Sequence, residues 1–304
     1  MEIKIHSNLK HKALGYYLKI LKDVIMSPTT PFDKLYYCEL YCGDGTCEVT
    51  SINQHYDPPL IESVLKEAEN GRLDVECYLN GIDSEKIKLL KQKVEPYKKF
   101  IKEISCEDAN KCVDNILSQI PADQISLFVL DPFNHKHLNF ETISKISKHT
   151  SEYLNKRTGD KEIRRPELIV NCMAYSMINC YRAGDYKSIT KALGTDKWTE
   201  LIPIYKEKGV SMFKVFLDVL IEQLKSLGYS IPPPLEIKST IHQNDIYYLV
   251  WATNEAGCRI IEKKVITPLK KFISKSSEDN KKVLVNTIKR QKAIGRGESL
   301  DKWF

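Results

Sequence analysis

The sequence has no long apolar segment. Its longest apolar runs, such as residues 125–130 and 247–252, contain six residues, whereas a membrane-spanning helix requires about 20. The first four residues, Met1–Lys4, also lack the order of basic, apolar and small residues that makes a secretory signal. We therefore expect a cytoplasmic protein with no membrane-spanning segment.

Internal repeats and low-complexity linkers are absent as well. The 304 residues are 42% hydrophobic and 28% charged, a balance that excludes a disordered chain or a fibre and is sufficient for one sizeable core. The pattern predicts one domain over residues 1–264, which starts with a helix and carries an insertion around residues 174–208. A basic helical extension over residues 265–304 follows it.

The nine cysteines include no CxxC pair. Most of them lie in apolar stretches, which indicates reduced core thiols in a reducing compartment. Cys38, Cys42 and Cys47 are close in sequence, but their spacing matches no zinc or ferredoxin signature. We expect no metal site.

Helical segments alternate with short apolar strands, which is typical of a parallel sheet with helices on both faces. The predicted helices are 8–26, 60–70, 84–94, 109–119, 139–156 and 210–227. The predicted strands are 35–41, 77–82, 100–105, 125–130, 167–172, 235–240 and 246–253. The pattern predicts a doubly wound α/β fold with a seven-stranded, mostly parallel sheet and an antiparallel last strand. This ending is the one expected of a Rossmann-like class I methyltransferase.

The informative polar residues follow the predicted strands. Ligands of such a sheet bind where its parallel strands end. At the first four strand ends the sequence has a glycine loop, an acid, a second acid and an Asp-Pro-aromatic motif. Together these describe an S-adenosylmethionine pocket. The predicted cofactor-binding residues are Glu39, Tyr41, Gly43, Gly45, Asp83, Asp108 and Ala109, and the predicted catalytic residues are Asp131, Pro132 and Phe133.

Each acid has a physical role in this prediction. Glu39 can hold the cationic amino group of the methionine moiety, Asp83 can accept both ribose hydroxyls, and Asp108 can accept the adenine amine while Ala109 packs against the ring. Asp131 can accept a hydrogen bond from a target amine or hydroxyl, and Phe133 can stack on a planar target. The alternative for each aspartate is the N-cap of the following helix, and it stays open.

Several segments together resemble one family, the three-Cys-motif partner proteins. The matching segments are His6–His11, Tyr37–Gly45, Pro58–Ile61, Glu107–Asn110, Leu130–Phe133 and Tyr247–Thr253. The resemblance implies a methyltransferase-like protein found alongside a separate protein with a three-cysteine, radical-enzyme-like motif. The family usually has Asp at Glu39, Ala at Cys42, Gly-Ser-Pro at residues 56–58 and Gly at Asn134.

Weaker candidates have two interpretations each. His135 and His137 lie either in an exposed loop or against substrate or a metal. His6 and Lys10, in the family's opening motif, either close over the site or lie on the surface. The aromatic residues Tyr175, Tyr181 and Trp198 either stack on a base or belong to the core.

The charge is concentrated at one end. Residues 263–304 carry twelve basic and four acidic residues, a net +8, which leaves −2 for residues 1–262 of the total +6. Such a tail either contacts the phosphates of RNA or DNA or is a solvated helix.

Two hypotheses follow. The first is an S-adenosylmethionine-dependent methyltransferase that acts on a nucleobase in RNA or DNA. The second is a methyltransferase-fold accessory subunit that binds a three-Cys partner without methylating. A nicotinamide-dependent enzyme is disfavoured because Glu48 occupies the place of the third glycine in GxGxxG.

Overall fold

The computed structural model describes residues 5–27, 32–45, 60–154, 159–238 and 245–271. Within these ranges the strands are β1 Leu35–Glu39, β2 Val75–Asn80, β3 Ile101–Ser105, β4 Ile125–Leu130, β5 Ser151–Leu154, β6 Lys161–Arg164, β7 Glu167–Cys172, β8 Leu235–Lys238 and β9 Asp245–Ala252. The α-helices are α1 Ile5–Ile25, α2 Leu60–Glu69, α3 Ser84–Val94, α4 Ala109–Gln119, α5 Phe140–Ser147, α6 Ala174–Arg182, α7 Tyr186–Leu193, α8 Trp198–Glu207, α9 Met212–Ser226 and α10 Glu255–Ile261.

Seven strands form one sheet in the order β3-β2-β1-β4-β7-β9-β8. The neighbours from β3 to β7 pair in parallel, and β9 runs antiparallel to both β7 and β8. This order, with one reversed strand next to the edge, is the class I methyltransferase fold. The predicted fold class is confirmed.

Alternating residues of the central strands divide the core into two layers. In β1, Tyr37 packs in the layer that contains α1, α2 and α3, and Cys38 packs in the layer that contains α4, α5 and α9. The strands are apolar on both faces, as a sheet covered by helices on both sides requires. The buried cysteines of this sheet, which include Cys38, Cys77 and Cys172, pack as small apolar side chains.

The predicted helix over residues 139–156 is wrong beyond Ser147. Helix α5 ends there, and β5 and β6 form an antiparallel hairpin in which Ser151 pairs with Arg164. The guanidinium of Arg164 lies 4.5 Å from the ring centroid of Phe32 and 4.6 Å from that of Tyr153. These long-range cation–π contacts and the hairpin pairing fix a local structure that helical periodicity could not indicate.

Residues 174–208, predicted to be irregular and partly helical, contain α6, α7 and α8. Trp198 is buried here, donates to Thr190 Oγ1 at 3.2 Å and packs edge-on against Tyr181 and Phe216. Tyr181 and Trp198 are therefore core residues, whereas Tyr175 is 48% exposed.

The described chain ends in a continuous helical segment. A π-helical turn, Glu262–Ile266, follows α10, and residues 267–271 are helical. Val265, Ile266 and Leu269 are buried in the layer that contains α1. Most of the predicted basic extension lies outside the described residues, as do Cys47 and residues 56–58. None of the described helices has the length and apolarity needed to cross a membrane.

A buried polar cluster joins α1 to the sheet. Glu167, the first residue of β7, accepts hydrogen bonds of 2.9 Å from the hydroxyl groups of Tyr17 and Thr253. Burial raises the pKa of Glu167 from 4.5 to about 7, although both hydrogen bonds act in the opposite direction. The folded protein therefore retains a proton on Glu167 that the unfolded chain loses above its ordinary pKa.

This proton predicts a pH dependence of stability. Because the folded pKa lies above the unfolded one, Glu167 lowers the free energy of unfolding as pH rises from 4.5 to about 7. We expect urea unfolding to show that wild type loses ~3 kcal/mol relative to Glu167→Gln between pH 4.5 and 8, at about 1.4 kcal/mol per pKa unit. The exposed Glu200→Gln change on α8 is the control. If the free energies of unfolding of wild type and Glu167→Gln changed with pH in parallel, the raised pKa of Glu167 would be contradicted.

Candidate functional site

The carboxyl ends of β1, β2 and β4 lie side by side. Glu39, the last residue of β1, pairs with Leu79 of β2 and with Val129 of β4. Neighbouring strands are about 4.8 Å apart, so the residues that follow these strands share one edge of the sheet. Glu39, Asp83, Asp108 and Asp131 therefore lie along this edge, each at or just after the end of a strand.

Asp131 directly follows β4 and is paired on both oxygens. Lys10 of α1 donates to Asp131 Oδ2 at 2.6 Å, and Asn171 of β7 donates to Oδ1 at 2.7 Å. Burial would raise the pKa of Asp131, but the charge and hydrogen bond of Lys10 outweigh it and lower the pKa. Burial would likewise lower the pKa of Lys10, and the Asp131 charge raises it. The pair is therefore ionised at neutral pH.

Two further polar side chains, His11 and Asn171, lie close to this ion pair. His11 Nδ1 and Asn171 Oδ1 are enclosed, and neither has a hydrogen-bond partner among the described residues. Each carboxylate oxygen of Asp131 also has a second lone pair. The reachable acceptor of the site is the carboxylate of Asp131, whose side chain is 26% exposed.

Glu39 provides a second carboxylate near Asp131 and Lys10. Tyr37 donates to Glu39 Oε2 at 2.7 Å. Burial raises the pKa of Glu39, the Tyr37 hydrogen bond and the Lys10 charge oppose this, and the Asp131 charge adds to it. Two carboxylates and one ammonium leave a net negative charge when all three are ionised, which favours a cationic ligand.

Asn80 connects three strand ends through its amide group. It is 1% exposed, and its Nδ2 donates to the carbonyl oxygens of Leu40 at 3.0 Å and Glu107 at 3.1 Å. Its Oδ1 accepts from Ser105 Oγ at 2.9 Å and from the Glu107 backbone N–H at 3.1 Å. This side chain fixes the backbone beyond β1 and β3 relative to β2.

The glycines near this edge have different surroundings. A Cβ at Gly81 would lie 2.5 Å from the Cys42 carbonyl oxygen, so only glycine allows the ends of β1 and β2 to approach this closely. Gly43 has open space around it, which suits a ligand. Gly45 has a φ of +68°, and its carbonyl oxygen accepts from Lys93 in the last turn of α3. The structure therefore places Gly45 against α3.

Asp83 and Asp108 are N-caps of α3 and α4. Asp83 Oδ1 accepts from the backbone N–H groups of Glu85 at 3.1 Å and Lys86 at 3.2 Å. Asp108 Oδ1 accepts from the Asn110 N–H at 2.9 Å. The capping alternative is thus correct for both residues. A cap uses one carboxylate oxygen, and the second oxygen can still accept from a ligand.

The remaining predicted residues border the same edge. Tyr41 donates to the His137 carbonyl oxygen at 3.3 Å and interacts electrostatically with Asp108, whose neighbour Ala109 is buried. Pro132 is buried, whereas Phe133 is 85% exposed. Lys86 lies 5.8 Å from the Phe133 ring centroid and 3.9 Å from Asp83 Oδ2. Lys86 therefore connects Asp83 to the aromatic residue of the Asp-Pro-Phe motif.

The structure corrects the interpretation of His135. This residue is buried, and its ring nitrogens contact Ser176 Oγ at 2.8 Å and Ser188 Oγ at 3.1 Å. Burial lowers the pKa of His135 to about 4. It anchors the loop after β4 to α6 and α7 as a neutral imidazole, while His137 is exposed. In the part of the chain described, no three His, Cys, Asp or Glu side chains form a metal site.

Sequence reasoning missed Asn80 and Asn171. Each is a single asparagine near the end of an otherwise apolar strand, Val75–Asn80 and Glu167–Cys172. A buried amide must be hydrogen-bonded, so this placement was the available signal. Lys10 was a candidate, and its contact with Asp131 places it over the site; the side chain of His6 lies outside the described part of the structure.

The chain resembles several solved structures at low sequence identity. The chain resembles the DszA carbon methyltransferase at 15% identity and a TM-score of 0.42, over 78% of this chain and 52% of that chain. It resembles magnesium protoporphyrin IX methyltransferase from Synechocystis PCC 6803, with bound SAH, at 10% identity and a TM-score of 0.41. This match covers 83% of this chain and 85% of that chain. It resembles protein LPL1258 of Legionella pneumophila at 13% identity and a TM-score of 0.44, over 86% of this chain and 93% of that chain.

This chain thus spans about half the length of the DszA protein, at 52%. No protein-family model matches the sequence, and no curated protein matches it. The resemblance to the three-Cys-motif partner family stays a prediction.

Proposed function

We propose that the protein is an S-adenosylmethionine-dependent methyltransferase that acts on a nucleobase in RNA or DNA. The observation that carries this proposal is the ionised Asp131 at the carboxyl edge of the sheet, which Lys10 and Asn171 hold in place and whose side chain is 26% exposed. The remaining lone pairs of this fixed carboxylate fit a ligand that donates hydrogen bonds.

The residues at the strand ends fit this cofactor. With Glu39 ionised, the net negative charge of Glu39, Asp131 and Lys10 favours its cationic amino and sulfonium groups. The open space at Gly43 allows the backbone to approach it. In this proposal Asp83 accepts the ribose hydroxyls through its second oxygen. Asp108 accepts the adenine amine, with Ala109 and Tyr41 beside the ring.

The acceptor side matches a planar molecule that has an amine. Phe133 is 85% exposed beside Asp131 and Pro132, so its face is available for stacking on a base. An exocyclic amine in the same plane can donate to Asp131, which Lys10 and Asn171 hold in place. The bound cofactor supplies an already activated methyl group, so the protein has to align the acceptor and exclude water.

Two measurements test this function. Isothermal titration of the full chain with S-adenosylmethionine and S-adenosylhomocysteine should show saturable binding of both. Incubation with tritiated S-adenosylmethionine and total nucleic acid should transfer label to RNA or DNA. Cofactor binding without transfer to any nucleic acid would remove the nucleobase from the proposal, and no binding of either compound would remove the methyltransferase.

Asp83 offers a test that separates its two roles. We expect Asp83→Ala to weaken S-adenosylmethionine binding by roughly 1–3 kcal/mol, the cost of losing a charged acceptor for buried hydroxyls. Asp83→Ser keeps a capping oxygen for α3 but removes the carboxylate. If Asp83 contacts the ribose, titration should show a similar loss of affinity for both variants. Wild-type affinity in a folded Asp83→Ser variant would leave Asp83 as a cap alone.

A second candidate is the accessory subunit that binds a three-Cys partner without methylating. The observation that favours it is the 2.6 Å ion pair with Lys10, which already neutralises Asp131 where a target amine would donate. Under this candidate, the full chain binds the cofactor, transfers no label, and binds a co-expressed three-Cys protein. Transfer of label in the absence of that protein would exclude it.

The proposed nucleic-acid contact of the basic tail predicts a salt dependence. Residues 281–292 contain five basic side chains, Lys281, Lys282, Lys289, Arg290 and Lys292. If they contact phosphates, deletion after Lys275 should weaken RNA or DNA binding. It should also lower the slope of log affinity against log salt by about three or more, because each lost contact lowers the slope by about 1. An unaltered slope in a filter-binding titration would identify the tail as a solvated helix.

A further inference from the structure

A cavity of about 720 Å³ lies at the edge of the sheet opposite the candidate cofactor site. Ile125 and Glu167, the first residues of β4 and β7, line it, as does Thr253 just after β9. Because a six-residue strand spans roughly 15–20 Å, this cavity is separate from the Asp131 edge. Its volume is in the range of about 300–1,000 Å³ that is typical of small-molecule sites.

Three elements, α1, the β5–β6 hairpin and α10, supply apolar walls to the cavity. Ile20 and Leu21 of α1 are buried on one side, and the β5–β6 hairpin contributes Leu154 and Ile163 on another. Leu154 is 62% exposed and Ile163 is 50% exposed, so apolar surface of the hairpin faces solvent at the cavity. Exposed apolar side chains beside a cavity of this volume suit an organic ligand with an apolar body.

One end of the cavity is polar and contains Arg165, a cation that pairs with none of the described residues. Arg165 is only partly exposed, and no described residue forms an ion pair or a hydrogen bond with it. Its guanidinium lies on the backbone of Gly228, where a Cβ would be 2.7 Å from Nη2. The hydroxyl of Tyr229, which is 5% exposed and also lines the cavity, lacks a hydrogen-bond partner among the described residues.

The other charges at the cavity do not cancel Arg165. Arg164 is a second cation that lies over the rings of Phe32 and Tyr153, and the charge of the exposed Asp123 acts on it. Glu167 is already engaged by Tyr17 and Thr253. Arg165, which has no ion-pair partner in the described part of the chain, matches one carboxylate, because a guanidinium can bind a carboxylate through two parallel hydrogen bonds.

We propose that this cavity binds a small amphipathic carboxylate, with its charged group on Arg165 and its apolar body between α1 and the β5–β6 hairpin. The site is independent of the proposed methyltransferase function. It adds a second ligand site to the chain, on the edge that the cofactor does not use.

Calorimetric titration of the full chain with decanoate and 2-naphthoate tests this proposal, with decanol and decylamine as uncharged and cationic counterparts. We expect at least one of the carboxylates to bind at one molecule per chain, and the alcohol and the amine to bind at least tenfold more weakly. Arg165→Gln should weaken carboxylate binding at least tenfold. Lys161→Gln removes a charge from the same hairpin at an 80% exposed side chain, and it should leave binding within twofold of wild type.

Leu154→Ser provides a second variant at an exposed position, where a loss of folding is not expected. It should weaken binding threefold or more, since apolar contact is lost. The proposal is overturned if neither carboxylate shows saturable binding, if decylamine binds as well as decanoate, or if Arg165→Gln or Leu154→Ser binds like wild type. Saturating S-adenosylmethionine should leave carboxylate affinity unchanged. Competition between S-adenosylmethionine and the carboxylate would show that the carboxylate binds at the cofactor edge and would overturn the proposal.

Discussion

Replacing Asn80 with leucine is expected to lower the free energy of unfolding by about 3–5 kcal/mol. The change leaves two carbonyl oxygens, one backbone N–H and one hydroxyl without the partner that Asn80 provides. An unsatisfied buried polar group costs about 1–3 kcal/mol, and water can reach part of this strand edge. Urea unfolding monitored by circular dichroism measures the loss.

A matched change at an exposed asparagine provides the control. Asn115 on α4 donates to the side chain of Glu103 at the surface, so Asn115→Leu should change stability by about 0.5 kcal/mol or less. Because Asn80 also fixes the loops that carry Tyr41 and Asp108, Asn80→Leu should weaken cofactor binding even where the variant is folded. A stability loss equal to that of Asn115→Leu would show that Asn80 is not the link between the strands.

The ion pair between Lys10 and Asp131 has the second large expected effect. Breaking a fully buried pair costs about 3–5 kcal/mol. Here the side chains are 17% and 26% exposed, so we expect about 1–3 kcal/mol for Lys10→Met or Asp131→Leu. The double variant should lose less than the sum by about 1–2 kcal/mol, which a double-mutant cycle measures. Additive losses would mean that the pair is not coupled.

The activity of a variant that removes only the charge tests the proposed role of Asp131. Asp131→Asn keeps the shape of the side chain but removes the charge, and methyl transfer should fall by about 100-fold. Because the pKa of Asp131 is lowered, the stabilisation by this pair is present at neutral pH and is lost as pH falls below the ordinary value of 3.8. Normal transfer by a folded Asp131→Asn variant would remove this residue from the proposed acceptor site.

Local patterns in the sequence determined the order of elements. The apolar run Ile125–Leu130, the alternation of helices with strands, and the final pair of β segments predicted the sheet, because a strand buried on both faces has to be apolar along its whole length. The positions of Glu39, Asp83, Asp108 and Asp131 at the strand ends followed from the same pattern. The prediction of a helix over residues 139–156 was wrong in its second half. Hairpin pairing and the contact of Arg164 with Phe32 determine the conformation of that segment.

Only the tertiary structure decided which side chains work together. Lys10 and Asp131 are separated by 121 positions, and Asn80 reaches Glu107 across 27, so no local pattern could pair them. The same holds for His135, whose serine partners come from two later helices, and for the cavity at Arg165, which three distant elements enclose. Periodicity specifies the surface that each element buries, whereas hydrogen bonds, ion pairs and cavities depend on which elements meet after the chain has folded.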